Sequence, residues 1–130
     1  MRKLFLFFLA LSYCSFGYSQ TGFGNTEISE EALAAAKKKI EMIRNEIISG
    51  KMDFAKAAIK YSQDPGSASK GGLYKNVKRG TFVKEFDAVA FASKEKEVSK
   101  VFRTRFGYHI LMVESKRGNE MDVRHILIKP

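Results

Sequence analysis

The sequence predicts an α+β domain, a small antiparallel sheet of about four strands with two to three helices packed around it. Three observations predict it. The first half carries apolar residues at helical spacing, and Asp64-Pro65-Gly66 then ends the helical region. The second half is a series of short strand-like runs, with only one short helical pattern among them.

Taken in order, Ser29 is placed to cap a first helix, with Glu30 and Glu31 favourably set against the positive end of the helix dipole. Leu33, Ala36, Ile40, Ile43 and Ile47 follow at spacings of 3, 4, 3 and 4, one helical face that reads as core. Gly50 ends the helix. Asp53 caps a second helix through Phe54, Ala57, Ala58 and Tyr61, which the Pro-Gly turn breaks. Tyr74 to Lys78 reads as a strand, and Val83, Phe86, Val89 and Ala90 as a short third helix. Val98 to Thr104 and His109 to Glu114 read as strands joined at Phe106-Gly107. Met121 to Ile128 is a last strand, reached across Lys116 to Glu120.

Ahead of these elements, Arg2 and Lys3 precede an apolar run from Leu4 to Leu11, and Gly17-Tyr18-Ser19 offers a small-x-small cleavage site. Residues 1–19 are therefore expected to be a secretory signal peptide, too short in its apolar core to remain as a membrane span. Residues 20–28 read as a flexible lead, 29–116 as the folded domain, and 117–130 as a loop and strand. Cys14, the single cysteine, falls in the leader, so disulfides and thiolate metal sites are excluded from the mature chain. Loss of Arg2 and Lys3 lowers the net charge from +9 to about +7. Such a balance suits nucleic acid, anionic membranes or acidic polypeptides. Export to a periplasmic or otherwise extracytoplasmic compartment argues against nucleic acid, and the basic residues are scattered as on an ordinary charged surface.

Two histidines with scattered carboxylates have no metal-ligand spacing, so neither a metal nor another cofactor is expected. There is no Gly-x-Ser-x-Gly turn and no glycine-rich phosphate loop, which removes the common hydrolase and nucleotide-binding readings. What remains is a set of residues that are individually bland. Asp64 before a proline is a common turn acid. His109, beside Ile110 and Leu111, would alone be a core histidine with a satisfied hydrogen bond. Phe82 and Phe86, four residues apart, would alone be core.

Their joint order is less ordinary. The run Tyr61-Ser62-Gln63-Asp64-Pro65-Gly66-Ser67-Ala68, the pair Gly71-Gly72, and Thr104-Arg105-Phe106-Gly107-Tyr108-His109 together resemble the parvulin family of peptidyl-prolyl cis-trans isomerases. The resemblance covers roughly Ser29 to Glu114. It implies isomerisation of X-Pro bonds, with Asp64, Thr104, His109 and His125 in catalytic roles. It implies too that Tyr74, Phe82, Phe86 and Phe106 hold the pyrrolidine ring. Implied partners are unfolded or proline-containing polypeptides, outer-membrane proteins among them. A non-catalytic chaperone or peptide-binding module is the alternative, and an incomplete, poorly folded product is a third.

Three departures from the family pattern stand out. Gly71-Gly72-Leu73-Tyr74-Lys75 replaces Gly-Gly-Asp-Leu-Gly, putting Tyr74 where a leucine is usual. No histidine-bearing strand stands ahead of the first helix. Val123-Arg124-His125-Ile126-Leu127-Ile128 looks like that missing strand, placed at the other end. Either it begins a second domain of a tandem protein, or it folds back into the vacant slot, or it exchanges with a second chain as a strand-swapped dimer; a tandem-protein fragment whose last strand folds back into the slot is the favoured expectation.

Overall fold

The computed structural model describes residues 27–130, so the expected signal peptide and residues 20–26 of the lead lie outside the described residues. The chain runs α1 (Glu30–Ile48), α2 (Phe54–Tyr61), a 3-10 turn (Ala68–Lys70), β1 (Leu73–Lys78), α3 (Lys84–Ala92), β2 (Phe102–Thr104), β3 (Gly107–Arg117) and β4 (Glu120–Ile128). Ser29 accepts the Ala32 N–H and Asp53 the Lys56 N–H, so both expected caps close the first turns they precede. The α+β class is as the sequence predicts.

The four strands form one antiparallel sheet in the order β1-β4-β3-β2. The last strand is therefore central, bonded to β1 on one side and to β3 along nearly its whole length on the other. Among the described residues no strand precedes α1.

The two-residue period of the strands decides which side chain meets which helix. Ile110 of β3 and Ile126 and Ile128 of β4 join Ile40 and Ile43 of α1 and Phe54, Ala57 and Ala58 of α2 in one core. Leu111, Val113, Met121 and Val123 point the other way and pack with Val77, Phe86 and Ala90. His109 and His125 share the odd-numbered parity of this second group, which aims both imidazoles at the α3 side. Sheet parity is what brings the two histidines together.

Several boundaries differ from the sequence expectation, three of them instructively. The strand expected over Val98–Thr104 is a ladder only over Phe102–Thr104, with Val98 in an isolated bridge to Met112. Ser99 explains it. Its N–H donates to the Leu111 carbonyl while its hydroxyl accepts the Leu111 N–H, and its own carbonyl takes the Arg44 guanidinium. A side chain has replaced half of a ladder step there. The third helix runs Lys84–Ala92, so Val83 of the expected pattern is its N-cap residue, and Phe82 meets Phe86 from the loop ahead of it. The link expected over Lys116–Glu120 is shorter: β3 and β4 join across Gly118 and Asn119 alone, with Gly118 at φ 60°.

Candidate active site

Asp64 ends the segment after α2, where its carbonyl accepts the N–H groups of Ser67 and Ala68 and so closes the Pro-Gly turn. This places the carboxylate beside β4. His125 Nε2 lies 2.8 Å from Asp64 Oδ2, and the same oxygen accepts the Ser67 hydroxyl at 2.6 Å and the Tyr74 hydroxyl at 2.7 Å. Gly72 makes the approach of β1 possible. It holds φ 76°, and a Cβ there would collide with the His125 carbonyl oxygen.

From His125 the contacts continue inward. His109 Nδ1 is 3.3 Å from His125 Nδ1, and His109 Nε2 is 2.6 Å from Thr104 Oγ1, which also accepts the Phe106 N–H. One proton arrangement satisfies every link with both rings neutral. Thr104 donates to His109 Nε2, His109 Nδ1–H donates to His125 Nδ1, and His125 Nε2–H donates to Asp64. Thr104, His109 and His125 are all buried, so a broken link would strand a polar atom away from water.

The electrostatics follow from this wiring. The His125 hydrogen bond holds the Asp64 carboxyl well below the usual carboxylate range; burial opposes it, and Ser67 and Tyr74 add to it. Burial, and then the neighbouring carboxylate, push the Tyr74 phenol up to about 12. His109 goes down to about 4, because burial disfavours its charged form and His125 lies beside it.

A stability prediction arises here. In the folded chain His109 stays neutral until about pH 4, whereas in the unfolded chain it takes a proton near its ordinary 6.5. Between those values the unfolded state binds more protons, so stability falls as pH falls, by up to about 3 kcal/mol. Asp64 acts in the same direction further down, its contribution being present above its ordinary 3.8 and lost as pH falls below it. Urea unfolding at pH 7 and pH 4.5 checks the His109 part. A midpoint that does not move between them would overturn it.

Above the polar chain sits a cavity of about 210 Å³, lined by Asp64, Tyr74, Phe82, Val83, Phe86, Phe106, His109, His125 and Leu127. Phe82 packs between Tyr74 and Phe86 with ring centroids 5.0 and 4.7 Å away, and Phe86 stands edge-on to His125 at 5.3 Å. Phe106, 48 % exposed, stands at the mouth. Larger depressions border α1, but they are open and lined mainly by Lys, Glu and Asn side chains. The small aromatic cavity is the one built for an apolar ring.

All eight residues singled out in the sequence meet at this place, seven on the cavity wall and Thr104 behind His109. Sequence reasoning passed over Ser67, which is fully buried against Asp64, and Phe102, whose ring stacks on His109 at 5.2 Å. Ser67 follows Asp64 by three residues, the offset at which a serine hydroxyl reaches back to a turn carboxylate, and that signal was available. Leu127 and Val83 also line the wall. Their apolar character gave no means of separating them from core. Among the described residues, no group of three or more His, Asp or Glu side chains is placed to hold a metal ion.

Comparison with known proteins places this geometry. Residues 23–115 match the rotamase family, described as the PPIC-type PPIase domain. The chain is 41 % identical over 88 residues to the chaperone SurA of Saccharophagus degradans, a match covering 68 % of this chain and 20 % of that protein. It is 40 % identical over 93 residues to the chaperone SurA of Shewanella denitrificans, covering 72 % and 21 %. To the foldase protein PrsA of a Geobacillus species it is 43 % identical over 93 residues, covering 68 % and 33 %. The matched region thus spans a fifth to a third of the length of these relatives. With most of its length inside the family match, and two histidines, an acid and an aromatic cavity assembled within the fold, the chain belongs to the PPIC-type, or parvulin, family of peptidyl-prolyl cis-trans isomerases.

Proposed function

We propose that this site speeds rotation about X-Pro bonds in exported, incompletely folded polypeptides, outer-membrane proteins among them. The observation that carries the reading is the aromatic cavity set directly over the hydrogen-bonded chain from Asp64 through His125 and His109 to Thr104. A planar prolyl amide owes its barrier to resonance that puts partial negative charge on the carbonyl oxygen. Twisting the bond returns that charge to nitrogen. An ionised Asp64 near the carbonyl oxygen therefore disfavours the planar forms more than the twisted one, and no covalent step is needed. Phe82, Phe86 and Tyr74 would hold the pyrrolidine ring out of water. A neutral His109 would help to fix the pocket floor without adding a competing charge.

The names of the relatives, chaperones and a foldase, support a role in protein folding. No helix among the described residues is long and apolar enough to cross a membrane. A second reading, a chaperone surface that holds chains without catalysis, draws on the exposure of Phe106 and the net positive charge.

Exchange measured by NMR on a short proline peptide separates the two. Uncatalysed exchange takes tens to hundreds of seconds, and micromolar protein is expected to shorten it severalfold. Phe82→Ala, which removes a partly exposed wall, is expected to raise KM about tenfold with little change in kcat. No acceleration, together with tight binding of proline-free aromatic peptides, would decide for the second reading.

A further inference from the structure

We infer that Ser67 and Tyr74 are positioning residues whose hydroxyls, together with His125 Nε2–H, gather on one oxygen of Asp64 and leave the other to act on the bound chain. The inference rests on the isomerase reading and adds to it the means by which the carboxylate is held.

The contacts are one-sided. Oδ2 accepts from Ser67 at 2.6 Å, Tyr74 at 2.7 Å and His125 at 2.8 Å, whereas Oδ1 meets only the Gly66 N–H at 3.4 Å. Three donors arriving from the turn, from β1 and from β4 fix both torsions of a short side chain. They also spend their hydrogen bonds on one lone-pair set, so the charge on Oδ1 is left largely uncompensated. Each donor is itself held. Ser67 is fully buried, and its carbonyl accepts the N–H groups of Lys70 and Gly72. The Tyr74 ring is wedged against Phe82 and His125. Its hydroxyl fits only because residue 66 is glycine, where a Cβ would sit 2.5 Å from the phenol oxygen. Tyr74 is also where this chain departs from the leucine of the family pattern, so its hydroxyl is a donor that a leucine at that position would lack.

The titratable groups facing Asp64 are His125 from β4, Tyr74 from β1 and, one ring further, His109 from β3. The test compares the parent chain with Ser67→Ala, Tyr74→Phe and the double variant. The Asp64 carboxyl is followed by carbon-13 NMR through an acid titration, and exchange kinetics are measured on a proline peptide. Tyr74→Phe keeps the ring, so KM is expected to stay within about twofold while kcat falls about tenfold. The Asp64 midpoint is expected to move up in each single variant and further in the double one. An unmoved midpoint in Tyr74→Phe, or a raised KM with unchanged kcat, would overturn the inference. Should Ser67→Ala fail to fold, Tyr74→Phe alone decides. A parent chain without isomerase activity would sink the isomerase reading, while the midpoints would still report on the three-donor arrangement.

Discussion

Deletion of Met121–Pro130 is expected to abolish cooperative folding, not to trim its stability. β4 lies between β1 and β3, so its loss removes both of those ladders and leaves β1 with no strand to pair with. It also removes Met121, Val123, Ile126 and Ile128, all buried, from the two cores on either side of the sheet, and Leu127 from the cavity wall. Emptying one large apolar site costs about 2–5 kcal/mol, and several at once exceed the ~5–15 kcal/mol that stabilises a whole domain. Thermal unfolding followed by circular dichroism should show no transition in the truncated chain. A cooperative melt within a few degrees of the parent would mean that β4 is dispensable.

Asp64→Ala is expected to lower kcat/KM for prolyl isomerisation about a hundredfold, the loss typical of removing one electrostatic group from a preorganised site. The substitution also leaves three donors, on Ser67, Tyr74 and His125, without their acceptor. Part of the damage is therefore structural, about 2 kcal/mol of stability. Asp64→Asn separates the two effects. It keeps the shape and an acceptor oxygen but not the charge, so it should recover much of the stability and little of the rate. Equal activity in Asp64→Asn and the parent would show that the charge has no role.

Much of this was legible in the sequence, for reasons that differ by residue. The Ile40–Ile43 face and the Ser29 and Asp53 caps are local features, readable from spacing alone. Asp64, Phe86, His109 and Thr104 could be grouped only through the family resemblance, because nothing in their local sequence says that they meet. They meet through strand pairing and turn closure, which are long-range. Two errors came from assuming regularity. The strand expected over Val98–Thr104 is mostly irregular because Ser99 trades backbone for side-chain bonds. The five-residue link expected after β3 is a two-residue hairpin, since Lys116, Arg117 and Glu120 continue the ladder. The pattern Val123 to Ile128 fits a central strand of any copy of this sheet, so the residues favour a fold-back into the vacant slot without fixing it. The intramolecular place it takes follows from the short Gly118-Asn119 link.

That link has a consequence for how the site comes into being. A strand clamped by two residues to its neighbour has a fixed register, and in a sheet a slip of one position exchanges the two faces. His125 would then turn into the Ile40–Ile43 side and Ile126 towards Asp64, ruining core and pocket at one stroke. Ordering of the sheet and assembly of the histidine pair are therefore a single event. A molecule whose final strand is docked already has its chemistry in place, and one whose strand is astray lacks both its chemistry and its fold.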